Sequence, residues 1–65
     1  MNKQILRDLS DLGFDLKEAR ENKQIARTDA AIYCGVSYNM YSQWERGITK
    51  KVSKERFEKL KELLA

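Results

Sequence analysis

The apolar residues of the chain recur with helical spacing, and three glycines divide them into segments. Ile5, Leu9 and Leu12 fall at i, i+4 and i+7. They predict a first helix from about Asn2 to Leu12, which Gly13 ends. This apolar stripe would either complete a small core or face a second copy of the chain, and the core is the favoured interpretation.

Polar caps predict where further helices begin. Asp15 and Glu18 have the spacing of a capping box, while Ser37 and Ser53 each precede an amphipathic stretch. The helices expected from these signals span about residues 15–23, 27–33, 38–46 and 53–64. No stretch alternates with period two for long enough to predict a strand. The sequence therefore predicts an all-α fold of about five short helices, forming one domain over residues 1–65.

The two helices within residues 27–46, joined at Gly35, have the arrangement of a helix-turn-helix unit. A helix enters the DNA major groove only when another helix braces it. In the second helix Met40, Tyr41 and Trp44 share one face, which is expected to anchor it to the core. The opposite face is polar and contains Tyr38, Asn39, Ser42 and Gln43. Such amides can pair with adenine, although the same residues also suit an ordinary solvated face.

The charge of the chain is moderately basic, with 13 Lys and Arg against 10 Asp and Glu, or +3 overall. This balance favours a polyanionic partner without requiring one. Its distribution is more informative, because residues 46–56 concentrate the basic side chains Arg46, Lys50, Lys51, Lys54 and Arg56. This stretch predicts contact with a phosphate backbone, the alternative being a solvated loop.

Several classes of site have no support in the sequence. Cys34 is the single cysteine and the chain has no histidine, so we expect neither a disulfide nor a zinc site. No glycine-rich phosphate loop or nucleophile with a base partner is present, and we expect no cofactor and no enzymatic activity. No apolar run approaches the ~20 residues of a membrane span, and no signal peptide is evident. The expected location is the cytoplasm.

The run GVSYNMYSQWERG, from Gly35 to Gly47, resembles the turn and recognition helix of the Cro and lambda-repressor type, the XRE family of DNA-binding proteins. The resemblance extends over about residues 12–64, where LKEAR resembles the family's first helix. It implies that Arg20 forms a structural ion pair with Glu45, at the end of the recognition helix.

The same resemblance implies two sets of DNA contacts. The base contacts would come from Arg27, Tyr38, Asn39 and Gln43, with Ser42 a borderline candidate. The phosphate contacts would come from Arg46, Thr49, Lys50 and Lys51. The sequence departs from the family pattern at Ala26, which replaces a polar cap, and at Ala30, which replaces a leucine. Arg27 replaces the usual glutamine and could hold either a guanine or a phosphate.

These observations predict a sequence-specific transcriptional regulator that reads double-stranded DNA through helix 38–46. A repressor of phage or bacterial origin is the favoured form. It is expected to bind a near-palindromic operator as a homodimer, because paired recognition helices meet major grooves about 34 Å apart. The alternative is a protein-interaction module of the antitoxin or regulatory-partner type on the same scaffold.

Overall fold

A computed structural model describes residues 5–65 of the chain. Four α-helices dominate it, with a small antiparallel sheet and one 3-10 turn. In chain order the elements are β1 (Leu6–Asp8), the 3-10 turn (Leu9–Leu12), α1 (Leu16–Asn22), α2 (Arg27–Cys34), α3 (Tyr38–Glu45), β2 (Lys51–Ser53) and α4 (Lys54–Leu64). The all-α class is confirmed, with four α-helices rather than five among these residues.

The helix predicted over residues 2–12 is wrong in the part that the structure describes, and residues 2–4 lie outside it. Arg7 pairs with Val52 in the β1–β2 sheet. Asp8 then accepts a hydrogen bond from the amide of Ser10 and starts the 3-10 turn. The expectation that the sequence contains no strand is therefore also wrong, and part of the loop predicted before Ser53 forms β2.

The apolar side chains of that predicted helix, which are Ile5, Leu9, Leu12 and the neighbouring Leu6, separate in the structure. Leu12 is buried and Leu9 packs against the core. By contrast, Ile5 and Leu6 are 61% and 55% exposed. The stripe thus completes the core at one end only, because the extended backbone of β1 does not keep the four side chains on one face.

Side-chain caps begin three of the helices as predicted. Asp15 accepts from the amide of Glu18, Ser37 from that of Met40, and Ser53 from that of Arg56. The remaining helix, α2, begins after Ala26, which offers no side-chain cap. Its first amides therefore lack the partner that a polar residue would supply.

The core lies where α2, α3 and α4 meet. Tyr41, Leu60 and Ala30 are fully buried, and α2 packs against both α3 and α4. The remaining buried hydrophobic residues are Leu12, Leu16, Ala31, Cys34, Trp44, Val52, Phe57 and Leu64. Met40, which was expected to share this inner face, is 41% exposed, because it lies at the edge of the α3 face that Tyr41 and Trp44 bury.

No helix in residues 5–65 combines the length and apolar character needed to cross a membrane.

Candidate nucleic-acid interface

Helix α3 is held on one side and exposed on the other. Trp44 is 4% exposed and meets the ring of Tyr41 edge-on, with ring centroids 5.7 Å apart. On the outer side, Tyr38 is 48% exposed, and Asn39 and Gln43 are also exposed. Gly35, with φ +72°, ends α2 in the left-handed conformation that the turn into α3 requires. The polar face predicted from helical spacing is therefore accessible.

The segment after α3 folds back onto Gln43. The Gln43 carbonyl accepts hydrogen bonds from the amides of Ile48 and Thr49, at 3.0 and 3.3 Å. The side-chain amide oxygen accepts another from Oγ1 of Thr49, at 3.3 Å. Thr49, which the resemblance assigned to phosphate, thus lies against Gln43, an expected base contact, and it uses the amide oxygen of Gln43 rather than its N–H groups.

The ion pair that the resemblance implied is present in the structure. Nε of Arg20 lies 2.6 Å from Oε2 of Glu45, and a second hydrogen bond joins Nη2 to Oε1 at 3.3 Å. Nη1 also donates to the carbonyl of Ile25 at 2.8 Å. The side chains of Arg20 and Glu45 are only 9% and 3% exposed. This pair therefore joins α1 to the end of α3 inside the protein.

A second arginine uses the same carboxylate. Nε of Arg27 donates to Oε1 of Glu45 at 3.1 Å, and its Nη1 donates to the hydroxyl of Tyr38 at 3.4 Å. The Arg27 side chain remains 39% exposed. The hydrogen bond and charge of Arg27 lower the pKa of Tyr38. Sequence reasoning named these residues separately and did not predict that they touch, because their contact depends on how α2 and α3 cross.

Glu45 remains ionised despite its burial. Desolvation alone would raise the pKa of this carboxyl group. The hydrogen bond and charge of Arg20, with contributions from the Tyr41 hydroxyl and from Arg27, outweigh that effect and lower the pKa below its ordinary value of 4.5. The carboxylate is thus a negative centre shared by one buried and one exposed guanidinium group.

The candidate phosphate contacts lie at the end of α3 and beyond it. Arg46 caps α3 and is exposed, as are Lys50 and Lys51. Asp8 is the cross-strand partner of Lys51. Hydrogen bonds from Ser10 lower the pKa of Asp8, and the charges of the two lysines lower it further. This carboxylate was not predicted as part of the site, because the sequence suggested a helix at its position.

Two hydroxyl groups close to the site are buried. The side-chain oxygens of Tyr41 and Ser42 are buried and have no hydrogen-bond partner of normal geometry within residues 5–65, although the Tyr41 hydroxyl lies close enough to Glu45 to lower the pKa of that carboxyl group. Burial also raises the pKa of Tyr41. The Ser42 hydroxyl is therefore less accessible than the side chains of Asn39 and Gln43.

The described residues offer little for metal or thiol chemistry. They contain no group of three or more His, Cys, Asp or Glu side chains placed to hold a metal ion. Cys34 is buried, and desolvation raises the pKa of its thiol to about 11. The thiolate needed for nucleophilic chemistry is therefore scarce at neutral pH.

A comparison with models of protein families identifies the family to which the chain belongs. The family model HTH_3, described as helix-turn-helix, matches residues 16–65. The chain belongs to the helix-turn-helix family of the Cro and lambda-repressor type. It is therefore a regulatory domain that binds double-stranded DNA. The family consists of DNA-binding regulators and is not an enzyme family. Comparisons with curated proteins and with solved structures gave no significant match.

Proposed function

We propose that this protein is a sequence-specific repressor that reads its operator with α3. One observation carries the proposal: α3 is anchored by buried Tyr41 and Trp44 while Tyr38, Asn39 and Gln43 remain exposed along its outer face. A rigidly held helix with exposed amides suits readout of base edges in the major groove. Arg27 extends this face from the first turn of α2. We do not include Ser42 among the proposed base contacts, because its hydroxyl is buried.

The phosphate backbone would be held by the basic residues beside α3. Arg46, Lys50 and Lys51 are exposed at the end of α3 and in the segment that follows. Such contacts position a protein on DNA and make its affinity depend on salt. Thr49 would contribute mainly by holding the Gln43 side chain, which its hydroxyl touches at 3.3 Å.

We further propose that two copies bind together in the cytoplasm of a bacterium, as a chromosomal or phage regulator. One copy of α3 spans too few base pairs for high specificity. A homodimer on a near-palindromic operator would place two recognition helices in successive major grooves. The expected operator therefore has two half-sites whose centres lie about one helical turn, or 34 Å, apart.

Selection of bound sequences from a random DNA library at about 150 mM salt tests the proposal. An enriched motif with two related half-sites is expected. The double variant Asn39→Ala and Gln43→Ala should relax that motif while remaining folded, whereas the control Glu58→Ala on α4 should retain it. Failure to enrich any sequence, from a folded protein, would contradict the proposed function.

A protein-interaction role is the second candidate, and exposed apolar side chains favour it. Ile32 and Ile48 are 70% and 61% exposed, in addition to Ile5 and Leu6 in the N-terminal part. Salt distinguishes the two functions. DNA binding through several phosphates should weaken steeply between about 50 and 200 mM salt, whereas an apolar protein contact should hardly respond.

A further inference from the structure

The contacts around Arg27 suggest a more specific role than a general DNA contact. Arg27 begins α2 and Tyr38 begins α3, so both lie at the N-terminal ends of the helix-turn-helix pair. Glu45, at the far end of α3, reaches Arg27 through Oε1. The three side chains form one connected group, here named the Arg27 triad.

We propose that the Arg27 triad reads a guanine in each half-site, with Glu45 and Tyr38 positioning the Arg27 guanidinium group. This inference rests on the proposed DNA-reading function. It assigns Glu45 a second role, because the same carboxylate that holds buried Arg20 also orients the exposed reader.

The donor pattern of Arg27 suits guanine. A guanidinium group carries five N–H donors in a planar fork. Glu45 accepts from Nε and Tyr38 accepts one hydrogen from Nη1. Within residues 5–65, the second Nη1 hydrogen and both Nη2 hydrogens remain available to other acceptors. One hydrogen on each terminal nitrogen is the pair that binds O6 and N7 of guanine side by side.

Charge argues for a base rather than a phosphate at this position. A phosphate bound to Arg27 would lie close to the ionised Glu45 carboxylate, which already accepts from Nε of the same guanidinium group. Like charges repel across such short distances. The guanine acceptors carry no net charge, so they avoid most of this penalty. Exposed Arg46, Lys50 and Lys51 have no carboxylate within salt-bridge distance in residues 5–65, and they suit phosphate better.

Preorganisation is the third argument. A free arginine side chain loses much rotamer freedom when it is fixed on a base. Here the Glu45 and Tyr38 contacts restrict the side chain before DNA arrives, while leaving it 39% exposed. The loss of freedom on binding is correspondingly smaller.

Three variants test the inference, with selection from random DNA and measured affinities for the selected site and its single-base changes. Arg27→Gln should lower the preference for guanine at one position of each half-site by about 5- to 150-fold. Arg27→Lys should lose most of that preference while keeping the salt dependence, because lysine keeps the charge without the fork. Tyr38→Phe removes only the exposed hydroxyl acceptor, and it should weaken the guanine preference with no change in thermal stability.

The outcomes separate this inference from the function on which it rests. If the wild-type protein enriches a motif but Arg27→Gln keeps every preferred base, the triad does not read guanine. If Arg27→Gln instead weakens all sequences equally and lowers the salt slope by about one, Arg27 contacts a phosphate and the inference is wrong. If the wild-type protein enriches no motif, the proposed DNA-reading function fails with it.

Discussion

Removal of the Glu45 carboxylate is the sharpest test of how this small domain is held together. In Glu45→Ala, Arg20 would keep its charge at a site where its side chain is only 9% exposed, with the Ile25 carbonyl as its remaining hydrogen-bond acceptor. Arg27 would also lose its contact, but its partial exposure lets water replace it. The predicted loss of stability therefore comes mainly from the buried arginine.

The expected loss is large relative to the total stability. Removing one partner of a buried ion pair costs about 3–5 kcal/mol. A domain of 65 residues is expected to have a free energy of unfolding of about 3–10 kcal/mol. Glu45→Ala should therefore lose between about a third and all of the stability of the domain, and it should unfold at a clearly lower urea concentration than the wild type.

Urea titration followed by fluorescence provides the measurement, because Trp44 is the single tryptophan and lies in the core. The matched control is Glu62→Ala, which removes the same group from an exposed hydrogen bond to Tyr33 and should cost less than about 1 kcal/mol. Equal effects of the two substitutions would refute the reasoning, since they would show that the buried position of Glu45 adds nothing.

The pH dependence of the free energy of unfolding provides a second measure of how much the Glu45 carboxylate stabilises the fold. Because the folded-state pKa of Glu45 lies below its ordinary value of 4.5, the unfolded chain takes up the proton first as the pH falls. The stabilisation is complete above about pH 4.5 and is lost as the pH falls through the lower folded-state pKa. Glu45→Gln should therefore lose less stability than the wild type between pH 5 and pH 2.

Three further substitutions test other parts of the structure. Ala26→Ser supplies the missing cap of α2 and should add about 1 kcal/mol, or about 4–8 °C in melting temperature; no gain would mean that the α2 amides are already satisfied. Tyr41→Phe removes a buried hydroxyl without a partner in residues 5–65 and should stabilise by up to about 1 kcal/mol in urea titration; a clear loss would reveal a hydrogen bond to Glu45. Asp8→Asn keeps the cap but removes a charge opposite Lys51, so DNA affinity should rise about 2–3-fold at low salt and not at high salt.

The sequence predicted the helix-turn-helix core because local signals agree with the tertiary structure there. Ser37 caps α3 as its residue type suggests. Tyr41 and Trp44 are buried at the helical spacing from which their burial was predicted. Caps and periodicity depend on neighbours within a few residues, so one sequence contains enough information to locate them.

The N-terminal segment could not be predicted in the same way, because its structure depends on a distant partner. Ile5, Leu9 and Leu12 have helical spacing, yet Leu6–Asp8 is extended. The backbone groups of this segment form hydrogen bonds with residues 41 to 47 positions later: Leu9 donates to the carbonyl of Lys50 at 2.8 Å, and Leu6 is paired with Ser53. Strand pairing of this kind overrides weak local helix propensity. A strand of three residues is also too short to show a recognisable alternation of apolar and polar side chains.

Glu45 contacts both the buried Arg20 and the exposed Arg27, so it links the stability of the fold to the proposed recognition of DNA. Its carboxylate holds Arg20 inside the fold and, in the proposed mechanism, aligns Arg27 at the DNA surface. A substitution at Glu45 should therefore change both properties, whereas Arg27→Gln should change base preference with little effect on unfolding. If Arg27→Gln destabilised the domain as much as Glu45→Ala, the exposed contact would itself be structural. A loss of base preference alone would instead show that one buried carboxylate serves two arginines with separable tasks.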